Sequence, residues 1–81
     1  MTKSDLRKVI VEELVNVAPD LEANDIGDEE HLLDEIGIDS MDFVSLLSAL
    51  QARLGIILPE IDYPRMISVA AIQKYLDEHG K

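Results

Sequence analysis

The chain contains no cysteine and no tryptophan among its 81 residues. The first absence excludes disulfides, thiolate zinc sites and a cysteine nucleophile, so any thiol chemistry must be supplied from outside the polypeptide. Positive charge is scarce as well. Lys and Arg number 7 against 17 Asp and Glu, a net charge of −10, and between Val9 and Ala52 there is neither Lys nor Arg. Nucleic acids and anionic membrane surfaces recruit Lys and Arg, so neither is an expected partner. No segment approaches the roughly 18 apolar residues of a membrane span, which argues against membrane insertion. The start, Met1-Thr2-Lys3-Ser4-Asp5, turns polar at once and does not read as a secretory leader. The expected compartment is therefore the cytoplasm.

What is present is enough for one small domain over residues 1–81. Apolar residues make up 47% of the chain, although a domain of this size buries only about 60–65% of its unfolded surface. Ser4 and Asp5 are good helix N-caps, and Leu6, Val9, Ile10, Leu14 and Val17 recur at three- and four-residue steps until Pro19. From Pro19 to Asp39 the periodicity fades into a long loop, anchored by Leu21, Ile26, Leu32, Leu33 and Ile36. Asp39 then supplies an N-cap with Asp42 three residues on. Phe43, Leu46, Leu47, Leu50 and Leu54 run down one face of the second helix before Gly55 stops it. Ile56-Ile57-Leu58 reads as a buried connection, since a solitary strand leaves its backbone unsatisfied. Pro59 through Arg65 has room for a short third helix limited by Pro64. Ser68 caps a last helix, with Val69, Ile72, Tyr75 and Leu76 on one face, that ends at Gly80. The expected fold is all-α: a small four-helix bundle with a long loop between helices one and two.

Catalytic constellations fail one by one. A nucleophile elbow carries Gly two residues before and two after its Ser, but the sequence around Ser40 is Gly37-Ile38-Asp39-Ser40-Met41-Asp42. His31 and His79 are the only histidines and read as solvated surface residues. Crowded acids on open surface repel one another rather than act as acid and base. A calcium loop begun at Asp28 would place Leu33 where Gly is needed and Asp39 where Glu is needed, so no metal site is expected. Ser40 stands out by position. It lies at the first turn of helix two, where free backbone N–H groups and the positive dipole end favour an anion. Two readings stay open there, a plain first-turn residue and a place where a phosphate ester would be electrostatically welcome.

The stretch Leu32-Leu33-Asp34-Glu35-Ile36-Gly37-Ile38-Asp39-Ser40-Met41-Asp42-Phe43 resembles the attachment motif of acyl carrier proteins, an Asp-Ser-Leu sequence opening their second helix. Met41 stands where Leu is commonest. The resemblance extends over nearly the whole chain, through Ile57-Leu58-Pro59 and the closing helix to Tyr75-Leu76. It implies an acyl-carrier-like bundle in which a phosphopantetheinyl transferase attaches 4′-phosphopantetheine covalently to Ser40, with Asp39, Met41 and Asp42 around the attachment point. It also implies a non-catalytic, monomeric carrier. Such a carrier holds acyl intermediates as thioesters and delivers them to acyl-transferring or acyl-ligating enzymes with basic docking surfaces, in fatty-acid, lipid or polyketide-like biosynthesis. An aminoacyl, peptidyl or D-alanyl carrier would use the same serine, and an unmodified acidic adaptor would need none. Fatty-acid carriers of this family are typically Glu-rich along helix two, whereas here the later positions are Ser45, Ser48, Gln51, Ala52 and Arg53. That departure points to a specialised carrier with its own partner enzyme.

Overall fold

Helix α1, Lys3–Val17, starts two to three residues earlier than its sequence signals imply. Thr2 is the N-cap, and its hydroxyl accepts from the Asp5 N–H at 3.1 Å. Ser4 and Asp5 therefore lie inside the first turn, where the negative Asp5 complements the positive helix end. The three- and four-residue spacing puts Val9, Ile10 and Leu14 on the buried side. In this computed structural model residues 2–79 are described, and the expected stop at Gly80 and the side chain of His79 lie outside them. Among the described residues there is no strand.

Helix α2, Ser40–Leu54, packs against α1 and closes on Gly55, whose N–H donates to the Gln51 carbonyl at 2.9 Å and whose positive φ of 66° brings the Ile56 N–H back to the same carbonyl at 3.2 Å. Leu46, Leu47 and Leu50 are wholly buried on its inner face. The following connection is less buried than the sequence implies: Leu58 is inside, but Ile57 is 82% exposed. Two of its N–H groups are satisfied without a strand partner: that of Ile56 donates to the Gln51 carbonyl at 3.2 Å and that of Leu58 to the Gln51 side-chain oxygen at 3.1 Å. A 3-10 helix, Glu60–Arg65, follows with Pro64 inside it. So short a helix has few internal bonds for a proline to remove. Helix α3, Val69–His79, is capped by the Ser68 hydroxyl, which accepts from the Ala71 N–H at 3.1 Å. Val69 and Ile72 complete the core with Met66 and Leu32.

The expected long loop between α1 and α2 is ordered by short helical turns. A 3-10 turn spans Ala23–Asp25, and one turn of π-helix spans Leu32–Ile36. Only Ile26, Leu32 and Ile38 are fully buried there, while Leu21, Leu33 and Ile36 rest partly exposed against the core. The segment is also stitched to the far end of the chain. The Leu32 N–H donates to the Ile67 carbonyl and the Ala70 N–H to the Asp28 carbonyl, each at 2.8 Å. These bonds carry the backbone from α1 to the start of α2, and so fix where α2 begins.

Candidate functional site

Ser40 is the first residue of α2 and is exposed. Its position follows from two residues before it. Gly37 takes φ of 94°, a left-handed conformation that a Cβ would strain, and turns the chain out of the π-helical turn. Asp39 then adopts extended geometry, φ −86° and ψ 171°, and its carboxylate accepts from the Asp42 N–H at 2.8 Å. The N–H groups of Ser40 and Met41 remain outside the intrahelical ladder, as at any helix start. Among the described residues the Ser40 hydroxyl has no hydrogen-bond partner. The four expected site residues Asp39, Ser40, Met41 and Asp42 thus share one turn, with Asp39 as cap and Ser40 presented outward.

The surroundings divide by chemistry. Upstream lie the exposed acids Asp34, Glu35 and Asp39. Downstream the outer face of α2 is apolar and neutral. Met41 is 78% exposed and Val44 lies one turn further, followed by exposed Ser45, Ser48 and Ala52. The only cation on this helix is committed elsewhere, because Arg53 binds Glu12 at 2.8 Å and Glu13 at 2.9 Å on α1. Those two hydrogen-bonded carboxylates hold the Arg53 guanidinium above its usual pKa. Beneath this face Phe43 is buried, edge-on to Tyr63 of the 3-10 helix with ring centroids 6.0 Å apart. This is the plain packing role open to an aromatic at that position.

The acids are not only a repelling field. Asp28 pairs with Arg7 at 2.7 Å, Glu30 accepts from the Gly27 N–H at 2.9 Å and Glu35 accepts from the His31 N–H at 2.7 Å. His31 corrects the sequence reading outright. Its side chain is 29% exposed and caps the π-helical turn, Nδ1 accepting from the Leu33 and Asp34 N–H groups at 3.2 and 3.1 Å. Histidine is a rare cap, and the Glu35 that holds its N–H stands four residues on rather than the three of a capping box, so the spacing gives no signal. Among the described residues no group of three or more His, Asp or Glu side chains is placed to hold a metal ion, and no helix is long and apolar enough to cross a membrane.

An exposed serine at a capped helix start, in a chain without thiols, suits the covalent attachment of an anionic group. Comparison with known proteins gives the family. The profile of the family described as "Phosphopantetheine attachment site" matches residues 8–76. The acyl carrier protein of Campylobacter curvus is 32% identical over 77 residues, covering 95% of this chain and 94% of that protein. The acyl carrier protein of Campylobacter hominis is also 32% identical over 77 residues, covering 95% and 91%. That of Wolinella succinogenes is 29% identical over 73 residues, covering 90% of each.

Proposed function

Because the chain belongs to the phosphopantetheine-attachment family of acyl carrier proteins, we propose that Ser40 is the residue through which it bears 4′-phosphopantetheine. The chain is a carrier rather than a catalyst, and it works with a phosphopantetheinyl transferase and with acyl-handling enzymes. The observation that carries the assignment to Ser40 is its outward hydroxyl at the first turn of α2. The free N–H groups and positive dipole end of that turn suit the negative charge of a phosphodiester. When attached, the group supplies the thiol that the chain lacks, and acyl groups are held on it as thioesters. Asp39 keeps the serine at the helix start by capping Asp42. Met41 and Asp42 lie beside it, where any enzyme reaching the arm must cover them.

We read the cargo as acyl intermediates of fatty-acid, lipid or polyketide-like biosynthesis in the cytoplasm. The neutral outer face of α2 supports a second reading, a specialised carrier for aminoacyl, peptidyl or D-alanyl groups with a dedicated ligase. Rim charges set on-rate and partner choice more than affinity, and Ser45, Ser48 and Ala52 offer none. The test of the attachment site is an intact mass after incubation with coenzyme A and a broad-specificity phosphopantetheinyl transferase. A gain of one phosphopantetheine in the native chain and none in Ser40→Ala is the expected result. A gain that survives Ser40→Ala would move the site elsewhere.

A further inference from the structure

The segment that leads to Ser40 is held by side-chain caps, and all but one of them are carboxylates. Glu30 holds Gly27, Glu35 holds His31 and Asp39 holds Asp42. The exception is His31, whose Nδ1 accepts from both Leu33 and Asp34. A ring nitrogen that accepts two N–H groups cannot carry a proton, so the folded turn fixes His31 as the neutral ring with its hydrogen on Nε2. The only place for a second proton is the capping atom itself.

We propose that His31 is a pH-sensitive joint: protonation at Nδ1 turns the cap from acceptor to donor, releases the Leu33 and Asp34 N–H groups, and loosens the turn that positions Ser40. Imidazole is the ordinary side chain that changes charge between about pH 5 and 8. The charged groups around the ring are acids. Asp34 lies 3.7 Å from Nε2, Glu35 holds the His31 backbone N–H, and Glu29 and Glu30 precede it in the chain. Helix α2, which packs on this turn, carries Asp42 near its start and Arg53 at its far end, bound to Glu12 and Glu13. The segment Met66–Ser68, which receives the Leu32 N–H, carries no charge. Arg7, the nearest cation along the stitched backbone, is paired with Asp28. No cation among these groups faces the ring to oppose a positive charge on it.

The loosening has a direct route to the serine. The Leu32 carbonyl accepts from both the Gly37 and Ile38 N–H groups, at 2.9 and 3.0 Å. Ile38 is buried immediately before Asp39, so a turn that opens at its start frees the anchor of the α2 cap. The sign follows from which form makes the bonds. The cap is complete while the ring is neutral and is lost as pH falls and the ring becomes charged.

The inference concerns the bare chain and does not depend on what Ser40 carries. It is tested by amide hydrogen exchange on the 15N-labelled full chain from about pH 7.5 to about pH 5, expressed as protection relative to the intrinsic exchange rate at each pH. Protection of Leu33 and Asp34 is expected to fall roughly five- to thirtyfold, the factor that the loss of one cap allows, along the titration of the His31 ring. In His31→Asn, a cap that does not titrate, protection stays level. Protection in the native chain that is flat with pH, or that falls equally in His31→Asn, overturns the proposal. Where His31→Asn does not fold, the native titration decides alone: amide shifts of Leu33 and Asp34 with a midpoint different from that of the His31 ring carbons overturn it equally.

Discussion

The chain is held by different forces on the two sides of Asp39. Downstream, α2 is fixed by burial: Leu46, Leu47 and Leu50 are wholly enclosed on the inner face of a helix that packs against α1. Upstream, residues 18–39 contribute only Ile26, Leu32 and Ile38 to the core, and the backbone is held by carboxylates, one histidine and two main-chain bonds to Ile67 and Ala70. Ser40 stands on the boundary. Apolar burial is non-directional and tolerates small shifts, whereas a cap demands one geometry for its donor and acceptor. The difference teaches that a segment with almost no hydrophobic period can still be well defined when its acids are spent on its own N–H groups.

The comparison breaks most visibly in the core. Leu50→Ala should cost about 2–5 kcal/mol by lost transfer energy and an incompletely filled cavity, a large share of a domain's total stability of about 5–15 kcal/mol. Urea denaturation measures it, and hydrogen exchange should show both regions opening together. Removing the hinge cap is the contrasting experiment. Asp39→Ala should cost about 1 kcal/mol, with faster exchange confined to Asp42 and its neighbours while the Leu46–Leu50 amides stay protected. A loss as large as that of Leu50→Ala would erase the distinction between the two regions.

The smallest effect sharpens it where the 3-10 helix meets α3. The Tyr75 hydroxyl donates to Asp62 at 2.5 Å, which raises its pKa above the usual value. Desolvation and the charge of Asp62 add to the shift, and Arg65, 5.5 Å above the ring, opposes it. A group whose folded pKa is raised contributes stability that is present below its unfolded pKa of about 10 and lost as pH climbs through the folded value. Melting followed above about pH 9 should therefore decline less steeply in Tyr75→Phe than in the native chain, with Leu33 and Asp34 unaffected.

How much of this is legible in the sequence depends on the force involved. The three long helices and their buried faces are carried by residues at helical spacing, and Asp39 and Gly55 mark both ends of α2 because their roles are local. Thr2 is missed as the first cap because Ser4 and Asp5 are equally good candidates two and three residues on. Ile57 reads as buried but is exposed, and the Leu58 N–H beside it is satisfied by the Gln51 side chain, a partner that local sequence does not announce. The role of His31 is hidden because an imidazole cap depends on ring orientation, which no spacing encodes. The candidate site is the most legible part, since Asp39, Ser40, Met41 and Asp42 are contiguous and a single helical turn brings them together.

The stitches from Leu32 to Ile67 and from Asp28 to Ala70 set a timetable for the molecule's birth. A ribosome makes the chain from the N-terminus onward, so α1, the serine and α2 are synthesised before the partners of those two bonds exist. Long-range contacts form only after their loop-closure cost can be met. The path to Ser40 thus reaches its final shape when the last helix arrives, and a chain interrupted before Ala70 would display the serine without the frame that aims it.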